Sequence, residues 1–326
     1  MTTLQSKTIP ATRLRSVNQR PVEPERDWVV YWMTSARRTR FNFGLQRASE
    51  WSRELGKPLV VLEALRSGYP WASDRLHRFV LHGMRDNRKA LKERAVAHHS
   101  YVERNQGEGQ GLLEHLAANA AVVVTDDYPT FFLPRMVEAA GQKLDVQLEA
   151  VDSNGILPMA AAGKDFATAY AFRRHMQKNI LADLEKIPLE DPLAEELPEP
   201  SSELPGLDRW PEASPELLSG ETAALADLPI DHDVTPTSAV GGAEEGSKFL
   251  ARFLDRHLEG YSDGRNRPDE HWASGLSPFL HFGHISAHEV FLELMRRERW
   301  TPEDVVGPAN GRRAGWWGVR DNAEAY

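Results

Sequence analysis

The chain has 326 residues, 41% of them hydrophobic, a formal charge of −9 and no cysteine. Its length suits two domains, and the missing thiols exclude disulfides, thiolate metal sites and cysteine nucleophiles. No apolar run reaches membrane-spanning length and none marks a signal peptide, so a cytoplasmic protein with no membrane partner is expected.

The negative charge is local. Residues 183–234 hold 15 acidic and 2 basic side chains, and the remainder is net positive. A nucleic-acid partner is therefore permitted, but no single stretch is basic enough to require one.

Residues 1–26 are polar, with Arg13, Arg15, Arg20 and Arg26 among Pro, Thr and Gln, and read as a disordered leader. Residues 27–165 then alternate short apolar runs with helical spacing. WVVYWM, LVVLEAL, HSYVER, AVVVTDD and residues 146–151 read as strands. Between them, helices are expected over residues 41–55 (stopped by Gly56), from Ser73 or Asp74 to about Ala97, over 112–118 and over 131–140. This is the pattern of an α/β domain with a doubly wound, parallel, Rossmann-like sheet. In such sheets the ligand rim is the carboxyl edge of the strands, which here carries Thr34 to Arg38 and Thr125 to Tyr128. There is no GxGxxG and no Walker loop to hold a dinucleotide or ATP. Asp126 and Asp127 read as surface carboxylates that can pair with Arg38 or Arg40. The His98–His99 pair lacks the companions a metal site needs.

Residues 166–240 read as a connecting helix, over 167–184, and an acidic linker with nine prolines between residues 188 and 236. Trp210 and several leucines suggest that the linker lies on the folded body, and SPELLSGETAAL can form a short docking helix. Residues 241–326 read as all-helical, beginning with an amphipathic helix over 243–259.

The tract SGLSPFLHFGHISAHEVF, residues 274–291, carries the main ligand signal. Ser277 is placed to cap a helix whose first residue is Pro278, and Gly275 lets the backbone approach a ligand. A helix start of this kind suits a diphosphate. Ser286 and Glu289 have the spacing of a capping box, and Trp300-Thr301-Pro302 marks a capped new start.

The tract ASGLSPFLHFGHISAHEVF, with Tyr261 and Arg265 upstream, closely resembles the flavin-binding segment of class II DNA photolyases. So does YWMTSARRTRFNFGLQRASEWSRELGKPLVVLEALRSGYPWASDRLHRF, and VVVTDDYPTFFLPRM, LEAVDSNGILPM and TAYAFRRHMQKNI look like the same family. The resemblance runs in order from about Trp28 to Tyr326. It implies FAD in the helical domain, with Ser274, Gly275, Leu276 and Ser277 at the diphosphate, Tyr261 beside the flavin and Arg265 near the cofactor. It implies a monomer that repairs cyclobutane pyrimidine dimers in DNA with light, by electron transfer from reduced flavin. An antenna chromophore often accompanies the family's α/β domain. The family continues past Tyr326, so an incomplete flavin domain is expected. Two alternatives stay open: a cryptochrome-like light sensor, and a non-catalytic fragment.

Overall fold

The structure, a computed structural model, describes residues 8–200 and 204–326. Six strands form one sheet: β1 (Leu14–Ser16), β2 (Trp28–Met33), β3 (Leu59–Leu65), β4 (Val96–Val102), β5 (Ala120–Asp126) and β6 (Leu148–Val151). Their order is β1-β6-β5-β2-β3-β4, all parallel except the β1–β6 pair. Every residue of β2 and β5 is buried. That is why these strands read as unbroken apolar runs, as a sheet covered on both faces requires.

Helices α1 (Phe43–Leu55), α2 (Asp74–Leu91), α3 (Leu112–Ala117) and α4 (Leu133–Lys143) connect the strands. The Asn42 side chain accepts from the Leu45 N–H to open α1, and Gly56, in the left-handed region at φ 64°, closes it. Helix α2 stops at Leu91, short of the expected Ala97, because residues from Val96 onward pair with β3.

The expected disordered leader is corrected over its described part, residues 8–26; residues 1–7 lie outside the described residues. Strand β1 pairs antiparallel with β6. Arg13 is buried, and its guanidinium donates to the carbonyls of Asp152 (3.2 Å), Gly155 (3.0 Å) and Ile156 (2.6 Å) while lying over the Phe43 ring. An arginine whose donors meet backbone carbonyls can be buried where an unpaired one cannot.

After β6 the described residues contain helices and loops only. Helices α5 (Ala169–Asn179) and α6 (Leu181–Leu184) precede the acidic connector, whose own helices are α7 (Pro215–Leu218) and α8 (Thr222–Leu225). The connector lies on the sheet domain. Leu193 and Leu197 join the core on the face of β2 and β3, Trp210 joins the opposite face, and Leu217, Leu218, Leu225 and Leu228 pack against α2. Apolar burial thus holds down a segment whose charges repel one another.

The helical body consists of α9 (Ala243–Arg252), a π turn at Phe253–His257, α10 (Tyr261–Gly264), α11 (Ser277–His281), α12 (Ala287–Glu298) and α13 (Asp321–Ala325). Its core gathers Leu250, Phe253, Leu254, Phe279, Leu294, Met295, Trp300 and Trp316. It meets the sheet domain at Gly283, where φ is +70° and a Cβ would stand 1.7 Å from the Ser35 carbonyl oxygen. Only glycine fits there. Buried Arg38 bridges the same seam, donating to the carbonyls of Gly283 (3.0 Å) and Ser153 (3.3 Å).

Candidate functional site

The chain order of the parallel strands reverses at β2, which has β3 on one side and β5 on the other. In nucleotide-binding sheets the crevice at such a switch point accepts phosphate. Here the protein supplies its own anion. Asp126, at the end of β5, is buried, and its Oδ2 accepts from the N–H groups of Thr34 (2.8 Å), Ser35 (2.8 Å) and Ala36 (2.9 Å) after β2. Its Oδ1 accepts from the Tyr31 hydroxyl at 2.6 Å. Burial, with the carboxylate next to it, pushes the Tyr31 phenol well above its usual value, so Tyr31 remains the donor. The nest of backbone donors is therefore filled by a side chain. This corrects the reading of Asp126 as a surface partner of Arg38 or Arg40. Asp127 pairs with Arg15 at 2.9 Å.

With the nest closed, a hollow remains beside it at the rim, among the loops that follow β2, β3, β4 and β5. A cavity of about 640 Å³ opens there, with Trp32, Leu62, Leu112 and Met136 among its apolar walls. Three arginines line it, Arg37, Arg66 and Arg135. Arg37 is fixed by Glu63 at 3.2 Å and by the Ala64 carbonyl at 3.0 Å. Glu63 is fully buried; burial opposes its charge, but His98, Arg37 and Asn87 outweigh that and hold the carboxyl below its usual range. Glu103 staples two loops of the wall together, accepting from the N–H groups of Ser67 (2.9 Å) and Gly107 (2.9 Å). His281 and Phe282 of the helical body complete the lining, so the cavity sits at the junction of the two parts.

The residues expected to hold a flavin lie elsewhere, on the helical body. Tyr261 opens α10, and Arg265 follows that helix with its guanidinium over the Tyr261 ring at 5.4 Å. The Ser274 hydroxyl accepts from the Leu276 N–H at 3.4 Å. Leu276 is fully buried, with Phe279 in the same core, while Gly275 (φ +70°) and Ser277 are exposed. Ser277 is not the N-cap. Leu276 holds that position with no side-chain hydrogen bond, and α11 is only five residues long. Ser286 does cap α12, accepting from the His288 N–H, but Glu289 turns to Ser247 at 3.4 Å and Arg40 at 3.9 Å. The capping box forms instead at Thr301 and Asp304.

A flavin dinucleotide fits this face in part. Exposed Gly275 and Ser277 suit a phosphate. The other half is partly covered: the Tyr326 ring lies 5.1 Å from Tyr261 and 4.5 Å from Phe253. Helix α13 is pinned beside it, with Arg265 donating to the Ala325 carbonyl (2.9 Å) and Asn322 to that of Glu259 (2.6 Å).

Sequence reasoning named Thr34 to Arg38 and Tyr128 at the rim but missed the cavity's other walls, at Arg66 to Trp71, Glu103 to Leu113 and Phe131 to Phe132. The available signal was GYPW followed, across the fold, by YPTFF: two proline-broken loops, each carrying aromatics with no helical or strand period to bury them.

A doubly wound sheet domain joined to a helical body is the architecture of photolyases. A bacterial class III photolyase from Agrobacterium tumefaciens superposes on 88% of this chain and 56% of its own, with a TM-score of 0.53 at 17% identity. No family model matches the chain. In sequence it is 31% identical to the deoxyribodipyrimidine photo-lyase of Methanothermobacter thermautotrophicus, over 85% of this chain and 58% of the relative. The corresponding enzyme of Oryza sativa is 28% identical over 85% and 54%. That of Arabidopsis thaliana is 25% identical over 90% and 58%. Along 85% of its length the chain is thus similar to deoxyribodipyrimidine photo-lyases, and it shares their fold. It spans between half and three fifths of the length of these curated relatives.

Proposed function

We propose that the chain serves light-dependent repair of cyclobutane pyrimidine dimers in DNA, as a class II photolyase, in the cytoplasm and as a monomer. The observation that supports this most is the match to deoxyribodipyrimidine photo-lyases along 85% of the chain, which takes in residues of both the sheet domain and the helical body. FAD, when bound, supplies the photoexcited electron that splits the dimer. This chain's own residues contribute position. Ser274, Gly275 and Ser277 present backbone and hydroxyls to the diphosphate, and Tyr261 and Arg265 border the flavin. The lesion reaches the flavin by leaving the base stack, at a cost already lowered by the damage.

The Tyr326 ring packs edge-on against Tyr261 and covers part of this face. That covering favours a second reading, in which residues 1–326 alone carry the family fold without holding the flavin. Flavin retention separates the two. The first reading predicts that the chain co-elutes with FAD, more strongly after Tyr326→Ala, and that Gly275→Trp or Ser277→Trp abolishes retention. FAD absent from both the unaltered chain and Tyr326→Ala contradicts it.

The rim cavity is assigned to a second, planar chromophore, the antenna of this family. Its apolar walls suit a flat ring, and Arg37 and Arg66 suit an anionic substituent on it.

A further inference from the structure

We propose that Trp71, Phe131 and His281 form an aromatic gate across the mouth of the rim cavity, which opens to admit a planar ligand and closes on its ring. The inference rests on the assignment of that cavity to a planar chromophore.

Three observations carry it. The first is exposure. Trp71 is 65% exposed and Phe131 56%, and Trp71 is the most exposed large apolar side chain among the described residues. Singly, an exposed aromatic needs no explanation, but two in contact at a cavity mouth mark a surface that takes part in binding. The second is backbone strain. Phe131 sits at φ 59°, in the left-handed region that an aromatic residue rarely adopts. The strained turn carries the phenyl ring between Trp71 and His281. The third is arrangement. Trp71 and Phe131 meet edge to face with centroids 6.5 Å apart and planes at 77°, and Phe131 meets His281 at 5.4 Å and 87°. All three line the cavity.

The three residues come from three separate elements: the loop after β3, the loop after β5, and α11 of the helical body. Edge-to-face pairs in water are held by about 1 kcal/mol each, so such a contact opens readily. A flat ring entering beneath it offers Trp71 and Phe131 a face to stack on, which replaces a weak exposed contact with a desolvated one. The base of the Trp71 loop is fixed, since Glu103 holds the Ser67 N–H and hydroxyl (3.1 Å). Motion is thereby confined to the loop tip. His281, through Phe282 beside it at 4.7 Å, joins the gate to the core of the helical body.

Stopped-flow binding of FMN and riboflavin to the full chain tests the gate. The two probes share a planar ring and differ by a phosphate, which Arg37 and Arg66 would favour. Variants Trp71→Leu and Phe131→Gly remove the gate; both side chains are exposed, and glycine accepts φ 59° without strain, so both fold. Ala139→Trp, at an exposed α4 position lining the cavity, blocks the site. The gate predicts that both gate variants bind and release faster than the unaltered chain, with release quickened at least about ten-fold. A mere contact residue alters release alone. FMN binding that is lost in Ala139→Trp, but with association rates unchanged in both gate variants, overturns the gate and leaves the cavity assignment standing. No binding of either probe by the unaltered chain, or binding indifferent to Ala139→Trp, overturns the cavity assignment and the gate with it.

Discussion

Replacing Asp126 by alanine removes the acceptor of five hydrogen bonds at once, a long one from the Thr34 hydroxyl at 3.4 Å among them. Three come from consecutive backbone N–H groups, at 2.8, 2.8 and 2.9 Å, and one from the Tyr31 hydroxyl at 2.6 Å. Each donor left unpaired in a buried site costs about 1–3 kcal/mol. Water entering the vacated space recovers part of this, so the expected loss is about 3–5 kcal/mol, a large share of a typical net stability of roughly 5–15 kcal/mol. Asp126→Asn keeps one oxygen for the three N–H groups, and its amide can donate to the Tyr31 oxygen; it should cost about 1–2 kcal/mol. Urea unfolding followed by circular dichroism measures both. The nest supplies a further test. Emptied of its carboxylate, it becomes an anion site, so phosphate should restore stability to Asp126→Ala and not to the unaltered chain. A loss below about 1 kcal/mol for alanine, or no response of that variant to phosphate, would refute the reasoning.

Three further outcomes follow from the same geometry. Burial lowers the imidazoles of His284 to about 3 and of His77 and His99 to about 4. Unfolded, they titrate near their ordinary value of about 6.5, so the unfolded chain binds more protons as pH falls, and stability present above that value is lost on the way down. At about pH 5 each contributes a loss of roughly 2 kcal/mol. Urea midpoints at about pH 7.5 and about pH 5 should differ markedly, and equal midpoints would contradict the burial. Gly283→Ala should destabilise the chain by at least about 3 kcal/mol, since it meets both a carbonyl at 1.7 Å and a left-handed backbone; calorimetry checks it. Arg13→Met should cost about 2–4 kcal/mol by leaving the three carbonyls of residues 152, 155 and 156 without their donor, and limited proteolysis should then cut within residues 8–26.

The parallel strands were legible because burial on both faces leaves an uninterrupted apolar run, as in WVVYWM. Gly56 was legible because a left-handed helix end favours one residue type. Strand β1 was not, since three residues that include an arginine carry no period, and what orders them is hydrogen bonding to carbonyls some 140 positions away. Asp126 was misread for the same reason: its partners are backbone N–H groups, which no side-chain pattern records. Ser277 looked like a cap because a serine before proline usually is one, but the burial of Leu276 shifts the helix start by one residue. At the flavin face the sequence named Tyr261 and Arg265, which stand together at α10. The covering by Tyr326 depends on how α13 docks on α10, a long-range packing outcome that residue types alone do not state.

The central claim is light-dependent repair, and its most direct measurement follows one thymine dimer in a short oligonucleotide. The chain is mixed with FAD, the flavin is reduced, and paired samples are kept in blue light and in darkness. The account predicts that the dimer disappears in the lit sample alone, at a rate that falls when Gly275 is replaced by tryptophan. Equal amounts of dimer in light and darkness, with reduced flavin bound to the protein, would contradict it.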